Sequence, residues 1–316
     1  MSDRELDAAG IRDPHLRESY ERCRRLNAQH GKTYYLATLL LPPVKRPYVH
    51  ALYGFARYAD EIVDDLSSTL TDEEKAAWLG DWGQAFLDDL DRGWSDDPVC
   101  QAVVDTVQRW QIPREHFTAF LHSMAMDLTV TEYATYDALH EYVYGSAAVI
   151  GLQMVPILEP TSPLAYDYAM DLGIAFQLAN FIRDVPEDLD RGRVYLPLDE
   201  LAQFDVTRET LERRVATPEV VAALSFQVDR VRELEERSRP GVDLLHPSSR
   251  DCIEAARVLY CGIVNEVERQ GFNVFARRAT VPLSRRLAVA GPALLRARRA
   301  RRRFGAGAGP LAAPRP

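Results

Sequence analysis

The sequence offers no cysteine pairing to build on. Its four cysteines among 316 residues, Cys23, Cys100, Cys252 and Cys261, form no CxxC spacing and fall inside helical patterns. A disulfide framework is therefore excluded, and reduced, buried thiols of a cytoplasmic protein are expected. The seven histidines show no HExxH or related metal spacing, so none receives a catalytic role, although His30 stands out for its neighbours. No Ser/His/Asp or Cys/His nucleophile arrangement is legible. There is no glycine-rich dinucleotide loop, and no run of strict apolar–polar alternation marks a strand. The opening residues, Met-Ser-Asp-Arg-Glu-Leu-Asp, are acidic and polar, so no signal peptide is expected. The least polar run, residues 143–158, is shorter than a bilayer span and is broken by Gln153 and Pro156. It is expected to be a buried core helix.

What is present is the composition of a globular chain with a sizeable core, 47% apolar and 27% charged. Charge is unevenly spread. With the eleven arginines from Arg277 onward set aside from the formal −9, residues 1–276 carry −20. An acidic body argues against nucleic acid as a partner. Helical periodicity dominates, with starts at a capping-box-like Thr71-Asp72-Glu73-Glu74 and at Pro113, and a stop at Gly31. Residues 36–41 read as an apolar turn. The expected helices cover about 12–30, 44–66, 71–90, 98–110, 113–127, 136–156, 164–188, 217–239 and 247–270, with a short segment near 207–214. The expected organisation is one all-α domain over residues 1–284 and a basic, flexible tail over 285–316.

Two of these helices carry the chemistry. Tyr53, Arg57, Asp60 and Asp64 fall at steps of three and four residues, as do Gln177, Asn180, Asp184 and Asp188. At 3.6 residues per turn each set shares one stripe, on helices about 120 residues apart. A DxxxD stripe alone is usually a solvated face. Two of them, each embedded in an apolar helix with an arginine beside it, are harder to explain that way. Facing carboxylates repel and are costly to desolvate, and hard divalent cations remove that cost. Mg²⁺ keeps coordination positions for phosphate oxygens, which arginines grip with paired hydrogen bonds. The implied chemistry is loss of a diphosphate beside an apolar cavity that tolerates a carbocation. Tyr53, Tyr142, Tyr144, Phe176 and Tyr260 are candidate ring faces for that cation.

The segments Tyr53…Arg57-Tyr-Ala-Asp60-Glu-Ile-Val-Asp64-Asp65 and Gln177-Leu-Ala-Asn180-Phe-Ile-Arg183-Asp184-Val-Pro-Glu187-Asp188-Leu-Asp-Arg-Gly-Arg193-Val-Tyr-Leu-Pro resemble the two aspartate-rich motifs of the squalene/phytoene synthase family. The bacterial phytoene synthases are the nearest members. His30-Gly-Lys-Thr33-Tyr resembles the family's N-terminal flap, and Tyr142-Val-Tyr144-Gly145 its central tyrosine-glycine segment. Val258-Leu-Tyr260 and Val274-Phe-Ala-Arg277-Arg278-Ala-Thr-Val-Pro282 resemble its C-terminal segments.

The resemblance implies an isoprenoid synthase-type helical bundle with a central active-site cavity. The activity it implies is head-to-head condensation of two geranylgeranyl diphosphates, through prephytoene diphosphate, to phytoene. It implies Asp60, Asp64, Asp184 and Asp188 as ligands of Mg²⁺, with Mn²⁺ as a substitute and no NADPH. His30, Thr33, Tyr53, Arg57, Tyr144, Gln177, Asn180, Arg183, Arg193, Tyr260 and Arg278 would bind substrate, with Arg277 as the alternative to Arg278. Glu61 stands where a second Asp is common and Gly31 where a serine is common. A squalene or dehydrosqualene synthase using farnesyl diphosphate, a terpene cyclase and a non-catalytic assembly factor stay open as alternatives. The expected state is a monomer or weak dimer in the cytoplasm. Its basic tail, with Leu287, Val289, Leu294 and Leu295, is either solvated or set against the anionic inner face of the membrane.

Overall fold

The computed structural model describes residues 2–64 and 69–309, and the side chains of Ser2, Lys32 and Asp64 lie outside that description. Asp64 of the first stripe, and Asp65 beside it in the motif, are thus outside the described side chains. Among the described residues there is no strand; two isolated bridges, Glu132–Val194 and Pro160–Leu245, pin loops together.

The chain begins with α1 (Ser2–Ala8), α2 (Pro14–His30), α3 (Lys32–Thr38) and α4 (Arg46–Asp64). It continues through α5 (Asp72–Arg92), α6 (Pro98–Trp110), α7 (Arg114–Met126) and α8 (Tyr136–Val143), which runs through a π turn at Tyr144–Ala148 into α9 (Val149–Leu158). Then come α10 (Leu164–Asp190), α11 (Leu198–Ala202), α12 (Arg208–Glu212), α13 (Pro218–Ser238), α14 (Pro247–Tyr260), α15 (Gly262–Arg269) and α16 (Leu283–Phe304).

Local chemistry sets these boundaries. Asp13 accepts from the Leu16 N–H with Pro14 in the first turn of α2, and Thr71 and Glu74 close a reciprocal capping box on α5. The α8–α9 segment is long and apolar enough to cross a bilayer, but 61% of its apolar window is buried inside the protein. It is a central wall of the bundle, packed against α4, α7 and α10. Two glycines let α9 and α10 cross closely. A Cβ on Gly173 would lie 2.6 Å from the Ala147 carbonyl oxygen, and one on Gly151 would lie 2.5 Å from that of Ala169. One apolar core joins α2, α4, α6, α7 and α9; a second gathers α10 around α13.

Three sequence expectations change. The turn expected over 36–41 begins as α3, whose Thr38 hydroxyl donates to the Tyr34 carbonyl. The single helix expected over 247–270 is two, α14 and α15, meeting at Cys261. The basic segment from 285 is not a loose tail up to 304 but α16, packed on α14 through buried Ala293 and Ala297. Beyond it, the Ala308 N–H donates to Glu159 Oε1 at 2.6 Å. Glu159 also pairs with the fully buried Lys45 at 2.5 Å.

Candidate active site

α4 and α10 present their polar stripes to one apolar cavity of about 380 Å³. Tyr53, Gln177, Asn180 and Tyr260 are part of its polar wall, contributed by α4, α10 and α14. Ile150, Met154, Leu158, Leu172, Phe176 and Leu245 are part of its apolar wall. Asp60 follows the cavity-lining Ala56 by one turn of α4, and Asp184 follows Asn180 by one turn of α10. The carboxylates therefore continue the two stripes just beyond the lined cavity.

On α4, Arg57 Nη1 donates to Asp60 Oδ2 at 2.5 Å and its Nε donates to Glu61 Oε1 at 3.1 Å. Glu61 also faces His30 Nε2 at 3.8 Å. The glutamate thus joins an arginine–histidine cluster at the α2–α3 corner. Gly31 makes that corner possible, because a Cβ there would lie 2.6 Å from the Tyr53 ring. Tyr53 in turn packs on Tyr34 at 5.4 Å between centroids. Burial pushes the Tyr53 phenol above its ordinary value.

On α10, Asp184 accepts two hydrogen bonds from Arg183, at 2.7 and 2.5 Å, and two from Arg278, at 2.8 and 2.7 Å. Burial pushes its carboxyl up, but the two guanidinium groups outweigh burial and hold it below the usual range. Asp188, one turn on, behaves oppositely. Burial first and then the Asp184 charge push it up to about 8, against the pull of Arg191 and Arg193. Arg278 Nε also stands 3.5 Å from Glu187 Oε1, while Glu187 Oε2 is buried without a hydrogen-bond partner. Arg277 and Arg278 are both exposed, but it is the Arg278 guanidinium that closes on Asp184 of α10.

Tyr260 stacks on Phe176 at 4.8 Å, and burial followed by the neighbouring Tyr53 pushes its phenol up to about 12. Arg193 is anchored away from the cavity wall, its Nη2 donating to the Asp127 carbonyl at 2.7 Å. Thr33 is half-buried on α3, and the cavity wall there is built from Tyr34, Ala37 and Thr38 instead. Tyr144, expected at the substrate, is 36% exposed at the start of the π turn; Ser146, Ala147 and Ile150 line the cavity from this segment. Sequence reasoning missed Tyr34 and Asp127. Tyr34 was legible as the neighbour of a flap-like motif, whereas Asp127 showed only as the end of a helix.

Among the described residues, no three carboxylates, histidines or cysteines are gathered as a finished metal shell. The donor set nonetheless fits a hard divalent cation. Asp188 is a half-buried carboxylate whose ionisation is disfavoured by burial first and then by the Asp184 charge, and Glu187 Oε2 is a buried oxygen with no donor. Both are oxygen ligands that such a cation satisfies.

Residues 27–285 match the family model described as Squalene/phytoene synthase. Over 294 residues the chain is 36% identical to the 15-cis-phytoene synthase of Synechococcus elongatus, covering 89% of this chain and 94% of that protein. It is 35% identical over 303 residues to the phytoene synthase of Arthrospira platensis, covering 91% and 96%. Among solved structures, a dehydrosqualene synthase in complex with ligand superposes with a TM-score of 0.80 at 26% identity, covering 88% of this chain and 96% of that one. A squalene synthase from Alicyclobacillus acidocaldarius gives 0.77 at 26% identity, covering 84% and 99%. The family motifs, the all-α bundle and the cavity between α4 and α10 thus coincide in one chain, which belongs to the squalene/phytoene synthase family.

Proposed function

We propose that this enzyme condenses two geranylgeranyl diphosphates head to head, through prephytoene diphosphate, to 15-cis-phytoene. The observation that carries the reading is Asp184, gripped by Arg183 and Arg278 where the α10 stripe leaves an apolar cavity. Guanidinium groups converging beside a hydrocarbon-lined space suit a ligand with an anionic head and an apolar chain. The phytoene synthases at 34–36% identity support the C20 substrate over the C15 one.

In this reading Arg57, Arg183 and Arg278 exchange their carboxylate partners for diphosphate oxygens, and Arg193 adds charge from the far side of Asp188. When bound at Asp60, Asp64, Asp184 and Asp188, Mg²⁺, or Mn²⁺ in its place, would neutralise the departing diphosphate. Gln177 and Asn180 orient the head group from the cavity wall, with His30 and Thr33 beside it. Tyr53 and Tyr260, whose phenols stay protonated, donate hydrogen bonds to the leaving group. The apolar wall excludes water from the allylic cation. No NADPH takes part. Mass spectrometry of products from C20 and C15 diphosphates, with and without NADPH, tests this; an exclusive C30 product overturns the phytoene assignment.

We further place the chain in the cytoplasm as a monomer or weak dimer touching the anionic inner face of the membrane through α16. Leu283, Leu287 and Leu295 are 69%, 63% and 56% exposed, and Arg298, Arg299, Arg302 and Arg303 are exposed near them. An apolar edge bordered by cations is complementary to anionic lipid. Replacing those four arginines by serine should abolish co-sedimentation with phosphatidylglycerol vesicles; undiminished binding rejects the contact.

A further inference from the structure

The diphosphate-binding reading leaves one polar cluster unassigned, at the junction of α7, α8 and the loop after α10. Its hub is Asp127, just past the end of α7. Two tyrosine hydroxyls donate to its carboxylate, Tyr142 to Oδ2 and Tyr195 to Oδ1, each at 2.7 Å. Tyr142 and Tyr195 are 3% and 7% exposed, so these are hydrogen bonds made away from bulk water. The Asp127 main-chain carbonyl accepts from Arg193 Nη2 at 2.7 Å, and Arg193 Nη1 stands 3.4 Å from the Tyr195 hydroxyl. One residue therefore holds both ends of the Arg193 fork, one directly and one through Tyr195.

The cluster is tied to the site by stacking. The Tyr195 ring lies on Phe181 of α10 at 4.2 Å with the planes 8° apart, and on Tyr142 at 5.4 Å. Phe181, Asp188, Arg193 and Tyr195 border one small pocket. An arginine side chain has about 2 kcal/mol of rotamer freedom to lose, and a fork already fixed by its neighbours does not pay that on binding an anion.

We propose that Asp127 is a positioning residue for the diphosphate site, holding Tyr195 and the Arg193 side chain in place beside Asp188 of α10. It touches neither substrate nor cation. The inference rests on the proposed function, and inorganic diphosphate with Mg²⁺ is a probe that separates the two. Isothermal titration on the full chain should show Asp127→Asn weakening inorganic diphosphate about tenfold. Tyr195→Phe, which keeps the ring stack, should weaken it about threefold. In steady-state assays Asp127→Asn should raise KM for the prenyl diphosphate more than it lowers kcat. Asp127→Asn should add little to Arg193→Ala, because it acts through Arg193.

A purely structural Asp127 would lower Tm without this pattern. Full additivity of the two substitutions, or wild-type diphosphate affinity in both Asp127→Asn and Tyr195→Phe, overturns the inference. Wild-type protein that binds no inorganic diphosphate overturns the functional reading and this inference with it.

Discussion

Asp188→Asn should stabilise the cation-free protein, and by an amount that grows with pH. In the folded chain Asp188 is pushed up to about 8 by burial and by Asp184. In the unfolded chain it titrates near the ordinary value of about 3.9. Below about pH 4 the residue is protonated in both states and costs nothing. Between about pH 4 and 8 the folded chain holds a proton that the unfolded chain has lost, so stability falls by about 1.4 kcal/mol per pH unit. Above about pH 8 both states are ionised and the loss is complete. The asparagine variant has no such slope.

From pH 5 to 8 the difference between the two proteins should therefore widen by about 4 kcal/mol. At about 2 °C per kcal/mol for a chain of this size, that is about 8 °C in Tm. Differential scanning fluorimetry in EDTA across pH 5–8.5 reads it. Adding Mg²⁺ with inorganic diphosphate should reverse the order, stabilising wild type and leaving the variant behind. A Tm difference that stays constant across that pH range refutes the argument, because Asp188 would then be an ordinary exposed carboxylate.

The remaining predictions separate neighbouring explanations. Arg278→Ala should lower kcat by about 10²–10³ in a diphosphate-release assay, while Arg277→Ala stays within about threefold; equal losses would remove the α10 clamp. Lys45→Met strands Glu159 beside the docked C-terminal segment and should lose about 3 kcal/mol in urea denaturation, and an unchanged midpoint would mean the buried pair contributes nothing. Ile150→Trp fills the apolar wall and should depress kcat/KM for C20 diphosphate at least about tenfold more than for C15 in parallel turnover assays. Parallel losses would place Ile150 off the hydrocarbon path.

Much of this fold was legible because most of its helices are long, amphipathic and capped by local chemistry, as at Thr71, Asp97 and Thr217. The short α1 and α3 were not: they draw their stability from what they pack against, which no local window contains. α16 hid in plain view. Its arginines suggested solvation, yet Ala290, Ala293, Ala297 and Ala300 repeat at helical spacing and give α14 a smooth face. In the site, each stripe was readable because it lies on a single helix. The closure of Arg278 on Asp184, across 94 residues, was not. Tyr144 is expected at the substrate from a motif resemblance, which carries no information on which way a side chain leaves the π turn; it stands 36% exposed while Ser146 and Ala147 line the cavity.

The crossing of α9 and α10 also bears on how such a cavity can change over generations. At Gly151 and Gly173 the wall is bare main chain, with no side chain left to trim. Any residue added there must push a helix aside, so these positions resist drift in either direction. Room for a longer or shorter hydrocarbon must come from neighbours such as Ile150, Met154 and Leu158, where single-base changes exchange one apolar side chain for another. Divergence in product length is thereby channelled onto the apolar side chains of the wall, while its main-chain crossing stays fixed.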